Sequence, residues 1–224
     1  MLKSVPRVSP LPASTKEQFK LQLREAAETY GFQLQPAQAD KLLAYLELLI
    51  KWNHTYNLTA IRDPKQMLGR HLIDSLSIVP YIEGQHILDV GTGPGLPGIP
   101  LAILFPEIEF QLLDSNVKKT RFLTQCKIEL GLNNIQISHC RVEDVHFKHN
   151  FDQIVSRAFT SLDSMVDLCA HLLAEKGKFL AMKGIEPEQE AEAISQLFEV
   201  EKTIQLNVPA CEGQRHLIII GKSA

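Results

Sequence analysis

The sequence lacks the features that mark a membrane protein or a secreted one. It contains no run of ~18 consecutive apolar residues, so we expect no membrane span. Its N-terminal residues lack the apolar core of ~7–15 residues that a secretory signal needs. The expectation is therefore a cytoplasmic protein.

Cysteines are few, and none of them form the closely spaced pairs of a zinc centre. The four cysteines are widely separated, without a Cys-x-x-Cys pair, which also argues against a disulfide framework. His146 and His149 lie beside Glu143 and Asp144, a spacing that could indicate a metal site. No second ligand pair follows, so we interpret this segment as a polar surface loop and expect no metal.

The chain also lacks an excess of positive charge. Its formal net charge is −3, whereas proteins that bind naked nucleic acid by electrostatics alone are usually basic. Residues 1–80 carry ten Lys/Arg against seven Asp/Glu, a net of +3, and residues 81–224 carry thirteen against nineteen, a net of −6. This asymmetry permits a basic face near the N-terminal part.

Residues 1–80 are predicted to form a loose tail followed by a helical extension. Apolar residues recur at helical spacing, and Ser14 with Glu17 predicts a capping box at the start of the first helix. The segment NHTYNLTAI has no helical period. The predicted helices cover 14–30, a stretch beginning at Pro36, and a stretch from Asp63-Pro64 to about Val79.

From residue 81 onward, strand-like and helical segments alternate, which predicts one compact α/β unit over 81–224. The expected fold is a doubly wound, mostly parallel, seven-stranded sheet that ends in an antiparallel hairpin. The predicted strands are 86–90, 109–114, 135–138, 151–156 and 178–183, then EKTIQLNV and RHLIIIGK. The predicted helices lie near 97–104, 117–130, 161–174 and 187–198.

A glycine-rich turn follows the first of these strands. Gly91, Gly93 and Gly95 come directly after the strand that ends at Asp89-Val90, and a helix follows. A dinucleotide-binding turn would need a third glycine at the position that Leu96 occupies, which disfavours a nicotinamide-dependent oxidoreductase. An acid followed by Gly-x-Gly-x-Gly is typical of an S-adenosylmethionine turn, and glycine lets such a ligand approach the backbone.

Two further strand ends carry residues suited to the adenosine part of that cofactor. Asp114 ends the second strand, where an acid can accept hydrogen bonds from both ribose hydroxyls. Its alternative role is to cap the following helix. Val142 and Glu143 follow the third strand, where a backbone amide and a carboxylate can bind the adenine edge. Taken alone, Glu143 would be read as a surface acid.

The segment after the fourth strand, Ser156-Arg157-Ala158-Phe159, is where a methyl acceptor is expected. It lacks the Asn/Asp-Pro-Pro-aromatic motif of exocyclic amine methylases, and the chain lacks the Pro-Cys pair of cytosine C5 methylases. The acceptor is therefore predicted to be a ring nitrogen such as guanine N7. Arg157 and Lys183 could hydrogen-bond guanine O6, although Lys183 could equally be a strand-end surface charge.

These motifs together resemble the bacterial glucose-inhibited division protein B family of 16S ribosomal RNA guanine-N7 methyltransferases. The resemblance implies S-adenosylmethionine as methyl donor and a guanine in the decoding-region loop of 16S rRNA as acceptor. It also implies cofactor contacts at Gly91, Leu96, Val142, Glu143 and Arg157. The motifs are NLTAI (57–61), RHLIDSL (70–76), DVGTGPGLPGIPLAI (89–103), LLDSNVKKTRFL (112–123), VSRAF (155–159), MKG (182–184) and RHLIII (215–220).

The resemblance implies that a set of polar residues shares one role, as a rim of the protein that contacts RNA phosphates. Its members are Asn53, His54, Arg62, Lys65, Arg70, His71, Arg215 and His216. The alternative is that Arg70 and His71 pair with Asp74 within their own helix. The acidic net charge favours the small ribosomal subunit or its assembly intermediate as partner, bound by a monomer. A small-molecule methyltransferase on the same fold is the alternative function.

Overall fold

The fold was analysed in a computed structural model, which describes residues 9–157, 161–184, 194, 197–209, 211 and 213–223. Seven α-helices occur within these residues, together with one π-helical turn and several 3₁₀ turns. The helices are α1 (Ala13–Thr29), α2 (Pro36–Tyr56), α3 (Pro64–Met67), α4 (Asp74–Leu76), α5 (Gly98–Leu104), α6 (Val117–Leu130) and α7 (Leu162–Cys169). A π-helical turn, Leu68–Ile73, joins α3 to α4.

The described strands form one mixed sheet in the order β3-β2-β1-β4-β5-β7-β6. Strands β1 to β5 are mutually parallel, and β7 runs antiparallel to both β5 and β6. This confirms the doubly wound α/β fold and its final hairpin. The strands are β1 (His86–Val90), β2 (Glu109–Leu113), β3 (Ile135–Ser138), β4 (Phe151–Arg157), β5 (Leu173–Lys183), β6 (Phe198–Gln205) and β7 (His216–Lys222).

Helices cover both faces of the sheet, because alternate strand residues point to opposite sides. On β1, Ile87 joins a hydrophobic cluster with α1, α2, α5 and α6, whereas Leu88 and Val90 join a second cluster with α7. Both clusters are buried, which explains why the central strands read as continuous apolar runs. The N-terminal helices therefore belong to one layer of the α/β unit.

Two local predictions for the N-terminal helices were wrong, and a third was confirmed. The Ser14–Glu17 capping box does not form, because α1 already begins at Ala13 after Pro12, which has no side-chain cap. Helix α2 continues through the polar NHTY segment to Tyr56. The start of the third helix is confirmed, since the Asp63 side chain accepts a hydrogen bond from the backbone of Lys65.

Most of the other boundaries agree with the prediction to within one residue. Two strands differ: β5 begins at Leu173 and not at 178, so it takes the end of the predicted helix 161–174, and β6 covers Phe198–Gln205 where 201–208 was predicted. The predicted helix at 187–198 falls almost wholly on residues that the structure does not describe, and Phe198 begins β6. Across the described part of the chain, no helix has both the length and the apolar character to cross a membrane.

Candidate cofactor and acceptor sites

The carboxyl ends of the parallel strands lie at one edge of the sheet, and the predicted site residues follow those ends. Asp89 lies near the end of β1, just before the glycine turn, and is fully buried. Its Oδ2 accepts hydrogen bonds from Thr92 Oγ1 at 2.6 Å and from the backbone N of Gly98 at 2.7 Å. One carboxylate oxygen therefore binds the middle of the turn and the first residue of α5.

The Asp89 carboxyl is electrostatically unusual. Burial raises its pKa from an ordinary 3.8 to about 7, although the hydrogen bonds from Thr92 and Gly98 oppose the rise. Its second oxygen, Oδ1, has no hydrogen-bond partner among the described residues. A buried acceptor of this kind is suited to a donor supplied by a ligand.

The three glycines of the turn have positive φ angles but differ in what surrounds them. A Cβ on Gly95 would lie 2.3 Å from Ile99 and 2.8 Å from Leu123, so Gly95 is required by packing. A Cβ on Gly93 would meet no atom closer than Lys119 Nζ, 3.9 Å away. The space beside Gly93 is therefore available to a ligand.

Asp114 connects the end of β2 to the glycine turn. Its Oδ2 accepts a hydrogen bond from the backbone N of Gly93 at 2.9 Å, and its Oδ1 accepts one from the backbone N of Asn116 at 2.8 Å. The cap of α6 is Asn116, whose side chain accepts from the backbone N of Lys118. The alternative role of Asp114 as the N-cap is thus taken by Asn116.

A cavity of about 390 Å³ opens beside the glycine turn. Four of the residues predicted to bind the cofactor line it: Gly91, Asp114, Val142 and Glu143. The backbone between Val142 and Asp144 forms a 3₁₀ turn after β3, which brings Val142 and Glu143 to the same cavity as Asp114. These residues come from the ends of three adjacent strands.

The chemistry of this cavity fits an adenosine-containing cofactor. Two carboxylates and the backbone of a glycine turn surround a space bordered by apolar side chains such as Leu113 and Leu168. Carboxylates can accept from ribose hydroxyls, and apolar side chains such as Leu113 and Leu168 can pack against a purine ring. Leu96 is buried in the hydrophobic core, so any contact it makes with the cofactor comes from its backbone.

A second cavity, of about 410 Å³, lies beyond the ends of β4 and β5. Arg157 and Lys183 line it together, as do Arg70, Arg215 and Asp74. Four cationic side chains therefore face one carboxylate. Arg157 lies here and not among the residues that line the cofactor cavity.

Asp74 organises this second cavity. The carboxylate is buried, and it forms ion pairs with Arg157 Nη1 at 3.2 Å and with Arg215 Nε at 3.1 Å. Arg157 Nη1 also donates to the backbone O of Arg70 at 2.8 Å. Asp74 thus pairs with distant arginines from β4 and from the residue before β7, and the alternative of pairing with Arg70 and His71 is wrong.

His71 lines the second cavity as an uncharged side chain that takes part in hydrogen bonding. Burial lowers the pKa of its imidazole to about 4, and the nearby Arg157 guanidinium adds to this effect. The imidazole is therefore neutral at physiological pH, with its Nε2 3.1 Å from Thr59 Oγ1. Asn53 is also buried and bonds the backbone at Thr59 and Ile61, so it does not lie on an RNA-facing rim.

Sequence reasoning missed Tyr45 and the role of Asp74. Tyr45 is fully buried on α2, and its hydroxyl donates to the backbone O of Pro94 in the glycine turn at 2.9 Å. Its position in the apolar face of α2 predicts a core residue and gives no sign of the polar contact. The partners of Asp74 lie 83 and 141 residues away, beyond any local pattern.

Comparison with known proteins identifies the family. The model of the family described as rRNA small subunit methyltransferase G matches residues 38–218. A relative from Pseudomonas aeruginosa (strain LESB58), named ribosomal RNA small subunit methyltransferase G, is 53% identical over 204 residues, which cover 91% of this chain and 95% of the relative. The chain belongs to this family. It is therefore a methyltransferase, and its methyl donor is S-adenosylmethionine.

Distant solved structures agree on the fold. An S-adenosylmethionine-dependent methyltransferase from Aquifex aeolicus matches with a TM-score of 0.55 and 15% identity, covering 73% of this chain and 96% of that one. Coclaurine N-methyltransferase, solved with N-methylheliamine and SAH, matches with a TM-score of 0.54 and 10% identity, covering 86% and 67%. At these identities the likeness concerns the fold alone. The family model and the Pseudomonas relative together confirm the family that the sequence motifs indicated.

Proposed function

We propose that this methyltransferase transfers a methyl group from S-adenosylmethionine to N7 of a guanine in the decoding-region loop of 16S rRNA. The observation that carries the proposal is membership of the rRNA small subunit methyltransferase G family over residues 38–218. The two adjacent cavities support it, because one fits the adenosine of the donor and the other presents cationic side chains to an acceptor.

The lining of the cofactor cavity supports a role for Asp114, Val142, Glu143 and Gly91 in binding the donor. When bound, S-adenosylmethionine supplies an electrophilic methyl group. Asp114 accepts hydrogen bonds from the ribose, and the Val142–Glu143 turn binds the adenine edge. Gly91 and Gly93 let the cofactor approach the backbone, and Gly95 keeps the turn packed on α5 and α6.

The acceptor cavity acts by aligning the guanine with the methyl group of the donor. The N7 lone pair of guanine lies in the ring plane and needs no proton removed, so the protein has to place that atom in line with the methyl group. Arg157 and Lys183 donate hydrogen bonds to guanine O6, and Asp74 holds the Arg157 guanidinium in position. The chain lacks the Pro-Cys pair of cytosine C5 methylases, which supports a mechanism without a covalent intermediate.

The substrate is proposed to be the RNA within the small ribosomal subunit or its assembly intermediate, bound by a monomer in the cytoplasm. The net charge of −3 gives little general attraction to phosphates, so shape and local contacts have to contribute. Arg70 and Arg215 at the acceptor cavity, with the exposed side chains of Arg62 and Lys65 nearby in sequence, supply those contacts.

Methyl transfer in vitro tests this function. Small subunits that lack the modification, and naked 16S rRNA, are incubated with the enzyme and labelled S-adenosylmethionine, and the nucleosides are identified by mass spectrometry. We expect 7-methylguanosine, with Arg157→Ala and Lys183→Ala lowering turnover. Lys178→Ala is the matched control, because Lys178 lies on the same strand, pairs with Glu201 at the surface and does not line the acceptor cavity. A methyl group on ribose or on an exocyclic amine would reject the N7 assignment.

A further inference from the structure

A cluster of two histidines and one glutamate lies at the other edge of the sheet, where the parallel strands begin. His86 starts β1 and Glu109 starts β2, and the two residues are direct partners in the parallel register. His149 precedes β4, the neighbour of β1 on its other side. Because all three strands begin at the same edge, residues 86, 109 and 149 meet although they are far apart in sequence.

The ligand atoms of these side chains are close enough to share one ion. One ligand atom from each of His86, Glu109 and His149 lies within 4.8 Å of the other two. His86 Nε2 and Glu109 Oε2 lie 3.7 Å apart. Zinc–ligand bonds are about 2.0–2.2 Å, so each atom would have to move roughly 0.7 Å toward a common centre. Exposed side chains can do this by small rotations.

The surroundings resemble those of a metal-binding histidine. The other ring nitrogen of His86, Nδ1, faces the Asp152 carboxylate at 3.9 Å. Asp152 is itself fixed, since its Oδ2 accepts from the backbone N of Gln85 at 2.7 Å and of His86 at 3.0 Å. A carboxylate on the far side of the imidazole orients a ligating histidine and raises its basicity.

The second histidine is also positioned by packing. The rings of His86 and His149 are 4.4 Å apart between centroids, and His149 packs edge-on against Phe151 at 5.8 Å. A cavity of about 350 Å³ opens at this point, which leaves room for water as a further ligand. His146, which the sequence paired with His149, instead packs against His171 and is not part of the cluster.

We propose that His86, Glu109 and His149 bind one divalent transition-metal ion of the zinc class, with water completing the coordination. Two imidazoles and a carboxylate form a ligand set that zinc accepts in proteins. The site lies at the edge of the sheet opposite to the acceptor cavity, so the ion acts structurally. It attaches the segment between β3 and β4 to the starts of β1 and β2.

Equilibrium binding of Zn²⁺ to the purified full-length protein tests the site. We expect one equivalent of zinc and a higher Tm in its presence, because an ion that binds only the folded state stabilises it. His149→Ala and Glu109→Gln should each weaken binding by tenfold or more. Both side chains are exposed, so these variants should fold, which circular dichroism can check.

His146→Ala is the matched control, a histidine of the same segment outside the cluster, and it should bind zinc as the wild type does. Two results would overturn the proposal. One is a wild-type protein that binds no zinc, and the other is that the His149 and Glu109 variants bind it unchanged. None of these measurements depends on methyl transfer, so the proposed function stands or falls separately.

Discussion

At the scale of single residues, the cofactor cavity depends on a carboxylate that the backbone already holds in place. Each oxygen of Asp114 accepts one backbone hydrogen bond, from Gly93 and from Asn116. A carboxylate oxygen has more than one acceptor site, and Oδ2 also pairs with Lys119 Nζ at 3.5 Å, so the remaining site for a ribose hydroxyl lies on Oδ1. Preorganisation of this kind lowers the entropy that cofactor binding has to offset.

Replacing Asp114 therefore has a specific expected effect on binding. Asp114→Ala should weaken S-adenosylmethionine binding by about 1–3 kcal/mol, the scale for losing hydrogen bonds to a charged group. Asn116→Ala is the control, because it removes the cap of α6 and should lower stability by about 0.5–2 kcal/mol while leaving affinity unchanged. Calorimetry measures the affinity of both variants. Equal affinities for Asp114→Ala and the wild type would show that the ribose role is wrong.

Site residues that lie close to a recognisable strand end could be predicted from the sequence, whereas residues that depend on distant contacts could not. Gly91 and Asp114 directly follow apolar strands, Val142 lies in the short turn after β3, and parallel topology brings such positions together. The partners of Asp74 could not be predicted, because ion pairs over 83 and 141 residues depend on how β4 and β7 are placed in the sheet.

At the scale of elements, the turn between β1 and α5 combines a packing requirement with an open face. Its backbone is fixed by Asp89 and by Asp114, and Gly93 has a φ of +63°. Gly131, at the end of α6, has the same φ of +63° and an equally open Cβ direction. The two glycines thus differ in location but not in backbone strain.

Alanine substitutions at Gly93 and Gly131 distinguish the effect of backbone strain from the loss of space for the ligand. Gly93→Ala and Gly131→Ala should each destabilise the protein by about 1–2 kcal/mol, the cost of a left-handed alanine. Only Gly93→Ala should also weaken cofactor binding, by tenfold or more, because its methyl group projects into open space beside the turn. Thermal unfolding and calorimetry of both variants provide the comparison. Equal loss of affinity in both would mean that strain alone accounts for the effect.

Boundaries between elements were predictable where a strong local signal exists and not elsewhere. Pro36 begins α2 and Gly131 ends α6, as their backbone preferences require. The π turn at Leu68–Ile73 has no such signal in the sequence, and within it the backbone O of Arg70 accepts a hydrogen bond from Arg157 of β4. π turns of this kind often accompany functional sites.

At the scale of the whole molecule, the N-terminal helices and the sheet share one hydrophobic cluster. Phe122 on α6 packs against Tyr45 and Trp52 of α2, with ring centroids 6.1 and 5.7 Å apart. We propose that the helical extension (1–80) and the core (81–224) unfold together in one cooperative transition. The hydroxyl of Tyr45 then links the extension directly to the glycine turn.

Tyr45→Phe tests this link. Loss of the hydrogen bond to Pro94 should cost about 1 kcal/mol, which lowers Tm by about 2–4 °C in a chain of this size, and cofactor affinity should fall with it. Tyr30→Phe is the control, since the Tyr30 hydroxyl is buried without a hydrogen-bond partner among the described residues. That variant should keep its affinity and should not lose Tm, because removing an unpaired buried hydroxyl removes a desolvation cost. A Tyr45→Phe protein with wild-type affinity would show that the extension does not support the turn.

The most direct test of the central claim is the chemistry of the RNA itself. 16S rRNA is taken from a strain lacking this gene and from the same strain carrying it again, treated with borohydride and aniline, and scanned by primer extension. A 7-methylguanine carries a positively charged ring. Borohydride reduces this ring, and aniline then cleaves the RNA strand at that position. We predict a strand break at one guanine of the decoding-region loop in the complemented strain and none in the other. The same pattern of breaks in both strains would contradict the assignment.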